Sequence, residues 1–182
     1  MNVLCEGPSI LGFAPEDLLI GPTIAINRAI ALRTAPVDFW ATTDNPHHLW
    51  EWSLPHRPER LRYFTTDQNL AVWHKLLGAD GIRRVYTAEM TDMGLESDTG
   101  LPMTLPTLMP VCAWLLRLGC KRVRLFGCDM RGSGSPMSGD WAASEDRNWG
   151  SRWRAERVLL SHVFHLYRAH GARIERWAPR RK

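Results

Sequence analysis

The fold is decided by three segments, VLCEGPSI at 3–10, TIAINRA at 23–29 and FWATTDNP at 39–46. In each segment an apolar run stops at a cluster of small and polar residues. Parallel strands of α/β proteins deliver such residues to one edge of the sheet, and ligands bind at that edge. The three segments therefore predict an α/β fold with a binding site at the carboxyl ends of its first strands.

The rest of the chain continues to alternate short apolar runs with segments of helical period. This alternation implies right-handed crossovers and a parallel sheet. We expect a single Rossmann-like domain over residues 1–182, with a mostly parallel sheet and helices on both faces. Further strands are predicted at 61–65, 83–88, 121–127 and 172–178, a short helix at 28–32, and longer helices at 67–78, 107–118 and 149–170.

A stretch rich in glycine and serine follows the predicted strand at 121–127. Long segments of this composition inside a compact domain are usually active-site lids or disordered. Because this stretch begins at a strand end, we expect a lid over the site at about 130–150. Two other aperiodic segments, 45–60 and 89–106, are predicted to be loops.

Composition favours one compact domain, since the 182 residues are 45% hydrophobic and no stretch approaches the roughly 20 apolar residues of a membrane span. Glu6 and Pro8 interrupt the opening apolar run, and the four cysteines form no CxxC pair, so we expect a reduced, cytoplasmic protein. The net charge of +4 is concentrated after Arg147. Such a basic region attracts the phosphates of a nucleotide or a nucleic acid, or it is merely a solvated helix face with an arginine-rich tail.

The turn after the first strand, CEGPS at 5–9, has neither the dinucleotide fingerprint GxGxxG nor the phosphate-binding GxxxxGK[ST] pattern. Gly7 allows a ligand to approach the backbone, Pro8 fixes the turn, and Ser9 offers a hydroxyl and a backbone amide to an anion. The alternative is an ordinary structural turn.

Polar residues also end the second and third strands. Asn27 follows the second, and Asp44 and Asn45 follow the third. An amide side chain both donates and accepts, which suits a ribose or a base edge, and a carboxylate binds a hydroxyl or a proton. Each residue alone is typical of a cap or a turn, but their coincidence at one sheet edge favours a site.

The histidines do not indicate a metal site. His47 and His48 are adjacent, so they do not face one ion from a regular element. Zinc would need cysteine or carboxylate ligands at set spacings, and none accompany the histidines. We expect no metal.

These features together resemble a known family. The chain has GPS after strand one, an asparagine after strand two, an NP turn after strand three, and LGCKRVRLFGCDM at 118–130. This order resembles the bacterial lipooligosaccharide sialyltransferases, whose corresponding segments read like GNGPS, RCNQ, FYNP and LGYKEIYLSGID. It also resembles a related group, frequent in phages and in flagellin-glycosylation loci, that is classed with the hydroxymethylpterin pyrophosphokinases.

The resemblance implies a Rossmann-like transferase that takes a nucleotide-linked sugar, CMP-linked in the best-known members, as substrate and needs neither metal nor cofactor. It places a set of residues around the donor, with Thr107 in the position of the family's TSG hydroxyl and Asp129 in that of the aspartate after LSG. The donor phosphate would meet the amides of the GPS turn and Arg28 or Arg131. The full set of substrate-binding residues that we expect is Glu6, Gly7, Pro8, Ser9, Asn27, Arg28, Asn45, Thr107, Asp129 and Arg131.

Two departures from the family pattern stand out. Glu6 replaces the asparagine of GNGPS, so a carboxylate is expected to face the anionic donor. The family's general-base histidine lies in the lid, and residues 130–161 contain no histidine. A carboxylate would then have to take the hydroxyl proton, and we expect Asp44 or Asp140 in this role. The lid also holds Glu145 and Asp146.

The acceptor is predicted less sharply. Trp50, Trp52 and Trp141 fall in irregular polar segments, where an indole can stack on a sugar or an unstacked base. The alternative is that they anchor long loops to the core. We expect an acceptor that is a glycan or, in a viral setting, modified DNA.

The sequence leaves three functions open. The first is a metal-independent glycosyltransferase. The second is a nucleotide-binding module without turnover, since the family's lid histidine is missing. The third is a pyrophosphokinase-like enzyme, which is disfavoured because paired aspartates for Mg²⁺ are not evident.

Overall fold

The computed structural model describes residues 1–18, 20–31, 36–44, 50, 60–88, 107–130 and 149–179. Within these ranges seven strands form one sheet in the order β5-β4-β3-β2-β1-β6-β7, and every neighbouring pair is parallel. The strands are β1 (Asn2–Leu4), β2 (Thr23–Ile26), β3 (Phe39–Ala41), β4 (Arg62–Thr66), β5 (Val85–Ala88), β6 (Arg122–Phe126) and β7 (Arg173–Arg176).

The helices of the described residues connect these strands. The α-helices are α1 (Pro15–Leu18), α2 (Leu70–Gly81), α3 (Leu108–Arg117) and α4 (Trp149–Ala169), and 3-10 helices lie at Pro8–Gly12, Asn27–Ala31, Asp67–Asn69 and Ile82–Arg84. None of the helices in the described ranges is long and apolar enough to cross a membrane.

The central strands of the sheet are covered on both faces, which is why β1, β2 and β3 are short and mostly apolar runs. Val3 of β1 belongs to a core cluster with α3 and α4, whereas its neighbour Leu4 packs into a second cluster with Trp40 and Trp73. Successive side chains of a strand point to opposite faces. The predicted α/β fold, with a parallel sheet between two helical layers, is therefore confirmed.

Some predicted element types are wrong in detail. The short helix expected at 28–32 is a 3-10 helix at Asn27–Ala31. The helix expected to start at Asp67 begins at Leu70, after a 3-10 turn in which the Asp67 carboxylate accepts from the amide of Gln68 at 3.0 Å. Gly78 has the non-helical angles φ +69 and ψ −179, so the regular helix from Leu70 ends there, as predicted, and a further short helical turn continues α2 to Gly81. The predicted loops at 45–49, 51–59 and 89–106 and the lid residues 131–148 lie outside the described residues.

The topology determines where a ligand can bind. The chain proceeds from β1 through β5 in one direction along the sheet and then returns to place β6 on the other side of β1. The crevice beyond the carboxyl ends of two strands at such a reversal is the usual ligand site of an open parallel sheet. This crevice lies between β1 and β6.

Candidate functional site

The chain segments that leave β1 and β6 touch each other at the crevice. The amide of Gly7 donates to the carbonyl of Gly127 at 2.7 Å, and a Cβ on Gly7 would lie 2.2 Å from that carbonyl oxygen and 2.6 Å from Oδ2 of Asp129. Gly127 itself has φ +67. Glycine is needed at both positions, because only a residue without Cβ allows the two backbones to come this close.

The amides of the GPS turn are all used inside the protein. Besides the Gly7 amide, the Ser9 amide donates to Oδ2 of Asp129 at 2.7 Å, and the Ile10 amide donates to the Gly7 carbonyl at 3.0 Å. Pro8 has no amide hydrogen. The expectation that backbone amides of this turn bind the donor phosphate is therefore wrong for this structure. Asp129 acts as the partner that holds the turn.

Glu6 makes a contact that the sequence did not predict. One carboxylate oxygen of Glu6 accepts from the backbone amide of Arg28 at 2.8 Å, and the side chain is half-buried. A glutamate at this position links the end of β1 to the end of β2. We expected the carboxylate to face an anionic donor, but the contact directs one of its oxygens toward the backbone after β2.

Asn27 is placed at the end of β2 by the local backbone. Its φ of +49 lies in the left-handed region, which asparagine tolerates better than most residues. Its carbonyl accepts from the buried indole of Trp40 at 2.8 Å, and its Nδ2 donates to Oδ2 of Asp44 at 3.2 Å. The predicted proximity of the residues that end β2 and β3 is thus present, and Asp44 remains exposed.

Thr107 joins this group from the start of α3. The hydroxyl of the buried Thr107 accepts from the Thr43 amide at 3.1 Å, lies 2.8 Å from the Thr43 hydroxyl, and lies 3.4 Å from Oδ1 of Asn27. The residues Asn27, Thr43, Asp44 and Thr107 are called the edge cluster below. They connect the carboxyl ends of β2 and β3 to the first turn of α3.

Sequence reasoning missed Asn69 and Thr43. The Asn69 amide donates to the carbonyl of Thr43 at 2.8 Å and approaches that of Asp44 at 3.4 Å. Asn69 therefore holds the segment that carries Asp44. The available signal was its position directly before the apolar run of α2, following β4.

Three predicted site residues, Asn45, Arg131 and Asp140, lie outside the described residues. Among the predicted tryptophans, Trp50 packs its ring 5.9 Å from that of Trp73, centroid to centroid, and it is partly buried. Trp50 thus anchors its segment to the core, as the alternative interpretation held. Trp52 and Trp141 are also outside the described part of the chain.

Buried thiols lie beneath the crevice. A hydrogen bond with Cys128, followed by burial, raises the pKa of Cys5 well above its usual value. Burial likewise raises the pKa of Cys112. The Cys5 and Cys112 thiols are therefore protonated at neutral pH and act as small apolar groups. No group of three or more histidine, cysteine, aspartate or glutamate residues suited to a metal ion occurs among the residues that the structure describes.

Comparison with known proteins identifies the architecture. No model of a known protein family and no curated protein sequence matches the chain. The sialyltransferase CstII from Campylobacter jejuni, in complex with the substrate analogue cytidine-5'-monophosphate, superposes with a TM-score of 0.61 at 11% identity, covering 98% of this chain and 79% of that one. The chain has the fold of this sialyltransferase.

Two further CstII structures agree. A point mutant described as an α-2,3/8-sialyltransferase gives a TM-score of 0.60 at 10% identity, and a complex with CMP-3FNeuAc gives 0.58 at 10% identity. Both matches cover 98% of this chain and 81% of the other. At such identities the likeness concerns the sialyltransferase fold alone. The expected resemblance to sialyltransferases is confirmed at that level, and the resemblance to pyrophosphokinases stays a prediction.

Proposed function

We propose that this protein is a metal-independent glycosyltransferase that uses a nucleotide-linked sugar, CMP-linked, as its donor. The observation that supports the proposal is the edge cluster together with the contacts of Glu6 and Asp129. These polar contacts tie together the carboxyl ends of β1, β2, β3 and β6, which surround the expected ligand crevice of a parallel sheet. The fold is also that of a sialyltransferase whose structure was determined with CMP.

Asp44 is the proposed general base. Its carboxylate is exposed at the sheet edge, and one oxygen is held by the Asn27 amide at 3.2 Å. In the proposed reaction an acceptor hydroxyl forms a bond to the anomeric carbon of the donor, and the bond from that carbon to the phosphate oxygen breaks. The nucleotide leaves with the electron pair, and the hydroxyl proton passes to Asp44. Asp140 is the alternative base.

The remaining residues would position the donor. Gly7, Pro8 and Ser9 would line it at the crevice, and Asn27, Asn45 and Thr107 would lie at its ribose or phosphate. Arg28 or Arg131 would offset phosphate charge. The acceptor in this proposal is a glycan or nucleic acid, and a cytoplasmic location stays a prediction.

Nucleotide binding is the first test. Thermal shifts and calorimetry with CMP, UMP, GDP, UDP-sugars and CMP-sialic acid, each in Mg²⁺ and in EDTA, should show binding of CMP compounds that persists in EDTA. A protein that binds none of these nucleotides contradicts the proposal. Binding that requires Mg²⁺ would favour the pyrophosphokinase-like alternative.

The Asp44→Asn variant tests the chemistry. This nearly isosteric change keeps an acceptor for the Asn27 amide but removes the base, so hydrolysis of the donor should fall by about 10²- to 10⁴-fold while CMP affinity changes little. Asp67→Asn is the matched control, because Asp67 is another exposed carboxylate that follows the neighbouring strand β4. Binding of CMP without any hydrolysis by the wild type would favour the module without turnover.

A further inference from the structure

The donor phosphate needs hydrogen-bond donors other than the turn amides. The amides of Gly7, Ser9 and Ile10 all donate within the protein. These three amides are therefore not available to a phosphate at the crevice between β1 and β6, and side chains are the donors considered next. Charged donors are the stronger choice, since hydrogen bonds between ions are about twice as strong as neutral ones.

Two arginines contact the backbone of the segment that leaves β6. Arg157 of α4 donates from Nη1 to the carbonyl of Met130 at 3.2 Å, and Arg176 of β7 donates from Nη2 to the carbonyl of Asp129 at 3.4 Å. These carbonyls belong to consecutive residues, so both guanidinium groups contact the same short segment of backbone. Two separate elements thus bring positive charge to the carboxyl end of β6, beside the crevice.

Both arginines are suited to bind an anion. They are exposed, and each guanidinium carries five N–H donors, of which the carbonyl contact uses one. Among the described residues, no carboxylate forms an ion pair with either guanidinium. One oxygen of the nearby Asp129 carboxylate accepts from the Ser9 amide at 2.7 Å. Paired, fixed guanidinium groups are a typical arrangement for a phosphate.

We propose that Arg157 and Arg176, rather than Arg28, bind the phosphate group of the nucleotide, at the carboxyl end of β6. This inference rests on the proposed function, because it assumes that a nucleotide occupies the crevice. It also gives a role to part of the positive charge that is concentrated in the last third of the chain, which the edge cluster does not use.

The test compares nucleotides with the matching nucleosides. Calorimetry with CMP and cytidine, and with UMP and uridine, is carried out on the wild type and on Arg157→Gln and Arg176→Gln. Take whichever of CMP and UMP the wild type binds more tightly. Each glutamine variant should bind this nucleotide about ten- to a hundredfold more weakly than the wild type does, while its affinity for the matching nucleoside should stay within about twofold of the wild-type value. Arg157→Lys and Arg176→Lys should fall between, since lysine keeps the charge and loses the planar fork.

Arg168→Gln is the matched control. Arg168 is an exposed arginine in the last turn of α4, and the helix runs antiparallel to the strands, so this turn lies toward the opposite edge of the sheet. Removal of its charge should leave the nucleotide-to-nucleoside ratio unchanged. The thermal unfolding midpoint of each variant verifies that it is folded.

The possible outcomes separate the two proposals. If the wild type binds CMP and both glutamine variants bind it equally well, the inference is overturned and the proposed function stands. An equal loss in Arg168→Gln would show a general effect of charge, which also overturns the inference. If the wild type binds neither nucleotides nor nucleosides, the proposed function fails and the inference fails with it.

Discussion

The single hydroxyl of Thr107 holds together residues from three elements, and its removal tests the edge cluster. Thr107→Val keeps the shape of the side chain but deletes the acceptor of the Thr43 amide, in a position that is only 3% exposed. Loss of one partner in a buried hydrogen bond costs about 1–3 kcal/mol. We therefore expect the free energy of unfolding, measured with urea, to fall by that amount.

Thr107→Ser is the control for this prediction. Serine retains the hydroxyl and loses one methyl group, so its cost should be about 1 kcal/mol or less. Equal stability of the valine and serine variants would show that the hydroxyl contributes nothing to the fold. In that case the contacts between Thr43, Thr107 and Asn27 do not stabilise the edge of the sheet.

Residue types at the site were predictable from the sequence, whereas their partners were not. The small and polar residues at the ends of β1, β2 and β3 stand out as interruptions of apolar runs, so Asn27 and Asp44 were placed together correctly. The binding of the Ser9 amide by Asp129 joins residues 120 positions apart. Local patterns carry no information on such a contact, and for this reason the turn was wrongly expected to offer its amides to an anion.

At the scale of elements, the close approach of the segments after β1 and β6 can be tested with two glycines. Gly119 and Gly127 have similar positive φ values, +75 and +67. A Cβ on Gly119 meets nothing within 4 Å, whereas a Cβ on Gly127 lies 2.6 Å from the carbonyl oxygen of Cys5 and 2.8 Å from Cβ of Ile10. Alanine at Gly119 should cost about 1–2 kcal/mol from backbone strain alone.

Alanine at Gly127 should cost about 1–3 kcal/mol more than alanine at Gly119, because overpacking is added to the same strain. Urea unfolding of the two variants gives the difference directly. Equal losses of stability would mean that the chain after β6 is farther from β1 than in the structure. The crevice would then not be closed at its base by backbone contacts.

The elements themselves were predicted to different degrees. The helix predicted at 149–170 corresponds to α4 (Trp149–Ala169), and the one predicted at 107–118 corresponds to α3 (Leu108–Arg117). The segment 28–32 after β2 was expected to be a short helix. It forms a 3-10 helix that starts at Asn27, whose left-handed backbone and contact with Trp40 depend on the packing of β3. Tertiary contacts decided that element, and intrinsic propensity did not.

At the scale of the whole molecule, the parallel sheet between two helical layers follows from the order of apolar runs. The order of the strands in the sheet does not follow from these runs, because the same runs would also permit β6 to lie next to β5. Packing of α3 and α4 on the face that includes Val3 and Ile24 places β6 beside β1. That placement creates the crevice, so the position of the site depends on a feature that only the folded chain reveals.

Ionisable groups buried in this core make the folded protein less stable at alkaline pH. Burial raises the pKa of Cys112 and of Tyr167, whose hydroxyl donates to the Cys112 carbonyl at 2.7 Å, and the Cys128 contact with burial raises that of Cys5. These groups stay protonated in the folded state after the unfolded chain has lost its protons, at about pH 8.5 for cysteine and about pH 10 for tyrosine. Their contribution to stability is complete below those values and is lost as the pH rises, by about 1.4 kcal/mol per pH unit for each group.

We therefore expect the free energy of unfolding to fall steeply between about pH 8.5 and 10.5, measured with urea in the presence of a reductant. Cys112→Ala should lower stability at every pH because it leaves a cavity. Above pH 8.5, however, its free energy of unfolding should fall less steeply than that of the wild type, by the contribution of one group, about 1.4 kcal/mol per pH unit. Tyr167→Phe loses the buried hydrogen bond to the Cys112 carbonyl, so its curve should lie below that of the wild type, run parallel to it up to about pH 10 and fall less steeply only above that pH. Parallel curves for the wild type and Cys112→Ala across this range would show that the thiol ionises equally easily in both states, which is incompatible with its burial between the sheet and α4.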